Sequence, residues 1–134
     1  MKKKPNQTIL IIEDDQQDAE FTIQALSQAS EHIPYIHLSN ADELKDFDYE
    51  KHGIGMIFLD IKMPRVYGLD LLKSIKSHPF AKNIPIIIFS SSSIPQEVKE
   101  AKILGIYDFI VKPINIDHYF EIVKEAYFKI LKNN

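Results

Sequence analysis

Two rhythms of apolar and polar positions alternate along the chain. Short apolar runs recur five times: "TILIIE" (Thr8–Glu13), "YIHLS" (Tyr35–Ser39), "GMIFLD" (Gly55–Asp60), "PIIIFS" (Pro85–Ser90) and "YDFIVK" (Tyr107–Lys112). Runs of this length and composition predict strands. Between them the period changes to that of a helix face. Ala19, Ile23 and Leu26 make the first stripe, and Leu69, Leu72 and Ile75 the third. The last stripe is Ile116, Tyr119/Phe120, Val123, Ala126/Tyr127 and Ile130. "NADEL" puts Asn40 three residues before Glu43, a capping-box pattern that predicts a short second helix. The fourth helix has Pro95 in its first turn and Gly105 as its stop. Asp15, Ser93 (with Gln96 three residues on) and Asn115 read as N-caps.

Five strand–helix alternations predict an α/β fold, a parallel sheet covered on both faces. For five such units the doubly wound, flavodoxin-like order 2-1-3-4-5 with five helices is a common solution. It fits one domain over residues 1–134 with its core over about 8–131. In such sheets the ligand site lies at the carboxyl ends of strands 1 and 3, where the winding reverses. Strand 1 ends in Glu13-Asp14-Asp15, strand 3 in Asp60, strand 4 in Ser90-Ser91 and strand 5 in Lys112-Pro113. Three acids, a hydroxyl and a lysine thus converge on one edge.

Composition narrows the function classes. With 134 residues, 45% of them hydrophobic and 26% charged, the chain has the make-up of an ordinary globular domain. A net charge of −3 argues against direct nucleic-acid binding. The absence of cysteine removes thiol chemistry and suits a reducing, cytoplasmic setting. The lysines of "MKKKPNQTIL" read as a solvated tail, with no apolar stretch long enough for a signal or a membrane span.

Clustered carboxylates raise one another's pKa unless a cation intervenes. Lys112 supplies one positive charge, and a hard, oxygen-liganded ion would balance the rest. Mg²⁺ is the expected cofactor, because it takes one or two carboxylates and keeps water and phosphate oxygens. Beside it Asp60, at the end of a buried apolar run, reads as a nucleophile that accepts a phosphoryl group.

"ILIIEDD", "FLDIKMPRVYG", "PIIIFSSS" and "DFIVKP", in this order and spacing, resemble the four motifs of receiver domains of two-component response regulators, across essentially the whole chain. The resemblance implies that Asp60 is the phosphoacceptor, with Ser90 hydrogen-bonding a phosphoryl oxygen and Lys112 pairing with the group. It implies Mg²⁺ bound by Asp14, by Glu13 through water, by Asp60 and by the Lys62 backbone carbonyl. It further implies a cis Lys112–Pro113 bond and an aromatic switch at Phe109. The chain departs from the common pattern in its Glu-Asp acid pair, in serine rather than threonine at 90, in Tyr67 before Gly68, and in Phe109 without a hydroxyl. Each departure keeps the catalytic groups, and Gly68 is expected to supply a turn.

The resulting expectation is a stand-alone response regulator, not itself an enzyme beyond its own phosphorylation and dephosphorylation. It would receive its phosphoryl group from a sensor histidine kinase or phosphotransfer protein. It would signal to a downstream protein through the surface made by the fourth helix, fifth strand and fifth helix (about residues 95–131). A homodimer is left open. The segment "SHPFAKNIP" resembles that of receivers partnering phytochrome-type kinases. Two alternatives are a Mg²⁺-dependent phosphohydrolase, disfavoured by Lys62 where such enzymes place a second acid, and a degenerate receiver that only docks. Tyr107 and Tyr119 read as packing residues, and none of the five histidines is given a role.

Overall fold

The computed structural model describes residues 6–64 and 67–132. The lysine tail and the Arg65-Val66 pair of the second motif lie outside them. Five strands, β1 (Thr8–Ile12), β2 (Tyr35–Leu38), β3 (Ile54–Leu59), β4 (Ile86–Ser90) and β5 (Asp108–Val111), form one parallel sheet in the order β2-β1-β3-β4-β5. This is the predicted doubly wound, flavodoxin-like arrangement. The helices are α1 (Gln16–Ala29), α2 (Gly68–Ser77), α3 (Pro95–Ile103) and α4 (Ile116–Tyr127). A wider π-helical segment, Phe128–Lys132, continues α4.

The central strands are buried on both faces, so their side chains split between two cores by simple alternation. Leu10, Ile12, Ile57, Leu59, Ile86 and Ile88 face α2 and α3, where they meet Leu69, Leu72, Ile75 and Ala101. Ile9, Ile11, Met56, Phe58, Ile87 and Phe89 face α1 and α4, where they meet Ala25, Leu26, Tyr119 and Val123. Each fully buried aliphatic side chain contributes about 1.5–3 kcal/mol. The two cores therefore fix the sheet's register, and with it the relative positions of the strand ends.

Several local expectations change. Among the described residues four α-helices form rather than five: the second crossover is a single 3-10 turn, Ala41–Leu44. Asn40 does cap it, accepting from the Glu43 N–H at 3.1 Å. Only Leu44 of the turn is buried, so no apolar stripe extends it into a longer helix. Asp15 caps α1 and Asn115 caps α4, accepting from Asp18 N (2.9 Å) and His118 N (3.0 Å). Ser93 does not cap α3. Pro95 occupies the first helical turn, which puts Ile94 at the cap position, where its side chain has no oxygen to offer. Gly105 ends that segment with φ +89°, as its stop role requires.

Gly68 is needed for space rather than for a turn. It is the first residue of α2, and a Cβ there would overlap both the side chain and the backbone of Ile61. The Lys112–Pro113 bond is trans, since no cis peptide occurs among the described residues. Trans is the intrinsically favoured form even before proline. Tyr107 is half exposed rather than packed, whereas Tyr119 is buried.

Candidate functional site

The sheet gathers the predicted groups because neighbouring parallel strands end at the same level. The Glu13 N–H donates to Leu38 O (3.0 Å), the Asp60 N–H to Ile12 O (3.0 Å) and the Lys112 N–H to Ser90 O (2.7 Å). Each residue just past a strand is thereby tied to the adjacent strand. Carboxylate oxygens of Glu13, Asp14 and Asp60 all lie within 4.8 Å of one another. Glu13 and Asp60 are buried, and Asp14 is exposed at the rim.

Lys112 ties this cluster together. Its Nζ donates to Glu13 Oε1 at 2.5 Å, to Asp18 Oδ2 at 2.8 Å and to Asp60 Oδ2 at 3.1 Å. The three ammonium protons are thus matched by three carboxylates. Burial alone would lower the lysine's pKa, but Asp18, Glu13 and Asp60 outweigh it and hold the ammonium above the usual lysine range. Glu13 is pushed up to about 8 by burial first and then by the Asp60 carboxylate, against the downward pull of Lys112.

The loop after β3 contributes two contacts. The Lys62 N–H donates to Asp60 Oδ1 at 2.8 Å, which fixes the carboxylate's orientation. The Lys62 ammonium turns away to Glu97 Oε1 in the first turn of α3, at 2.6 Å. Ser90 is fully buried, and its hydroxyl is the one buried side-chain polar atom without a hydrogen-bond partner among the described residues. A donor left unpaired in this way costs about 1–3 kcal/mol. Phe109 lies half-buried on β5, against the core shared with α2 and α3.

Sequence reasoning missed Asp18, Glu97 and His37. Asp18 looks like an ordinary helix-start acid, favoured there by the helix dipole. Its contact with Lys112 spans 94 residues of sequence, and that of Lys62 with Glu97 spans 35. His37 on β2 meets the Glu13 carbonyl through Nε2 at 2.7 Å. Nothing local in the sequence signals these pairs.

An all-oxygen set of three acids, two of them buried, suits a hard cation and not a thiolate-seeking metal. With a buried lysine and an unpaired hydroxyl at the ends of adjacent strands, this sheet has the architecture of a signalling receiver module. Residues 9–124 match the response regulator receiver domain family, and the chain belongs to it. It is 32% identical over 124 residues to the chemotaxis protein CheV2 of Helicobacter pylori, covering 90% of this chain and 39% of that protein. It is 32% identical over 108 residues to the two-component response regulator ORR13 of Oryza sativa subsp. japonica, covering 81% of this chain and 88% of that one. The crystal structure of the phosphorylated cyanobacterial phytochrome response regulator RcpA superposes with a TM-score of 0.84 at 24% identity over 96% of both chains. That likeness establishes the shared fold. Among the described residues, no helix is long and apolar enough to cross a membrane.

Proposed function

We propose that this receiver domain accepts a phosphoryl group on Asp60 from a histidine kinase or phosphotransfer protein and passes the signal on through its own surface. The observation that carries the reading is the shared ammonium of Lys112, which bridges Glu13, Asp18 and Asp60 in a pocket with an unpaired Ser90 hydroxyl. Asp60 accepts from the Lys62 N–H at Oδ1 and from the Lys112 ammonium at Oδ2, and a carboxylate oxygen oriented in this way attacks phosphorus. As its bond to phosphorus forms, the phosphorus–nitrogen bond of the donor phosphohistidine breaks and the imidazole leaves. Lys112 and Ser90 meet the phosphoryl oxygens. Glu13, Asp14, Asp60 and the Lys62 carbonyl would hold Mg²⁺, which when bound supplies charge neutralisation for the transfer.

Output through α3, β5 and α4 is supported by the apolar side chains exposed there. Ile103 is 76% exposed, Tyr107 51% and Val111 44%. Phe109 lies beneath this surface and is the residue whose repacking would report the phosphorylated state. We place this receiver domain in the cytoplasm and assign it no chemistry beyond its own phosphorylation and hydrolysis. A Mg²⁺-dependent hydrolase is disfavoured by Lys62, which stands two residues after the acceptor and whose ammonium is engaged by Glu97.

Acetyl phosphate with Mg²⁺ is the direct test. Intact mass should show one acid- and base-labile phosphoryl adduct on the wild type and none on Asp60→Asn. Equal labelling of the two proteins would overturn the assignment.

A further inference from the structure

We infer that Asp18 is a positioning residue acting through Lys112, drawing its ammonium off Asp60 and so weakening its grip on a phosphoryl group. The inference rests on the phosphoacceptor reading of Asp60 and deepens it.

An ammonium has three N–H donors, and those of Lys112 are all taken. The bonds to Glu13 and Asp18, at 2.5 and 2.8 Å, are shorter than the 3.1 Å bond to Asp60. The cation therefore sits toward the first two acids. Glu13 belongs to the carboxylate group that converges for a divalent ion, but Asp18 does not. Among the described residues, the Asp18 carboxylate has no hydrogen-bond partner other than Lys112.

The backbone that presents Asp18 is fixed, so this is not a casual surface pair. Its carbonyl accepts from the Tyr119 hydroxyl at 3.0 Å and from Thr22 Oγ1 at 3.1 Å. Both hydroxyl residues are buried between α1 and α4. Its N–H is taken by the Asp15 cap. A phosphoryl group on Asp60 adds anionic acceptors that must share Lys112 with Asp18. Removing the Asp18 charge while keeping its shape frees one donor and leaves more of the lysine's charge for the phosphoryl oxygens. Glu13 still anchors the ammonium.

The test uses beryllofluoride, a phosphoryl mimic, titrated with Mg²⁺ against wild type, Asp18→Asn, Asp18→Glu and Glu20→Gln. Glu20 is an exposed acid on the same helix, bonded to Gln16, with no contact to Lys112. Asp18→Asn should bind the mimic about three- to tenfold more tightly, the range expected for one partly exposed charge contact. Its phosphoryl lifetime after acetyl phosphate should lengthen by a similar factor. The Lys112 ¹⁵Nζ resonance should move in Asp18→Asn with no ligand present, which a purely structural role would not produce. Asp18→Glu should return all three readouts toward wild type, and Glu20→Gln should leave them unchanged. Equal effects of Asp18→Asn and Glu20→Gln would reduce the finding to general charge and overturn the inference. Weaker binding by Asp18→Asn would overturn it too, by showing that Asp18 supports the grip. If the mimic binds wild type no better than Asp60→Asn, the phosphoacceptor reading itself fails.

Discussion

Replacing Ser90 with alanine separates the resting protein from the phosphorylated one. The Ser90 hydroxyl is fully buried without a partner, a situation that costs about 1–3 kcal/mol. Deleting the oxygen removes that penalty and leaves a void smaller than a methyl group. The resting variant should therefore be as stable as wild type or more so, by up to about 1 kcal/mol, or about 3–5 °C in Tm for a domain of this size. With a phosphoryl group in place, the wild-type hydroxyl gains a charge-assisted bond contributing on the order of 1.5–3 kcal/mol. The variant forgoes it, and its affinity for beryllofluoride should fall about 10- to 100-fold at 1.4 kcal/mol per decade. Full conversion of a two-state population from 1:99 to 99:1 needs about 5.5 kcal/mol, so Ser90 alone is too weak to be the whole switch. Lys112 must contribute the rest, and residues 95–112 of the variant should respond only partly in NMR spectra. Thermal unfolding with and without beryllofluoride measures both arms. The reasoning is refuted if the resting variant loses more than about 1 kcal/mol while its affinity is unchanged. The hydroxyl would then serve packing and not the switch.

Three further outcomes are expected. Asp14→Asn should weaken Mg²⁺ binding by about tenfold or more in calorimetry, and Glu13→Gln by less, because Glu13 is also held by Lys112; unchanged affinity in Asp14→Asn would remove it from the ligand set. In chelator, Glu13 binds its proton more tightly in the folded state (about 8) than at its ordinary value of 4.5, so stability should decline as pH rises from 4.5 to 8. Tm measured across that window should fall more steeply for wild type than for Glu13→Gln, and a flat wild-type profile would contradict the burial argument. Gly68→Ala gains up to about 1 kcal/mol of helix propensity but forces a Cβ into Ile61, so urea unfolding should show a net loss of roughly 2 kcal/mol or more.

The order of the strands and the residues at their ends were legible because they depend on local period and on one topological rule. Five apolar runs alternating with helices build a parallel sheet whose central strands are covered on both faces, and such a sheet exposes its chemistry where the winding reverses. Glu13, Asp14, Asp60, Ser90 and Lys112 could be gathered on paper for that reason. The second crossover shrank to one turn because its capping signal had no apolar stripe behind it, and a cap alone does not sustain a helix. At Gly68 the sequence suggested a turn, but the approach of Ile61 is what demands a missing Cβ, and that distance exists only after the loop has folded back. Lys112 shows the limit most directly. Its place at a strand end followed from the sequence, yet its choice of partners did not. Whether its ammonium meets Asp60 alone or is shared with Asp18 depends on how α1 packs against α4, where Tyr119 and Thr22 pin the turn that carries Asp18. Hydrophobic period fixes which face a residue takes, but ion pairs close across distances set by helix packing, and only the folded chain defines those.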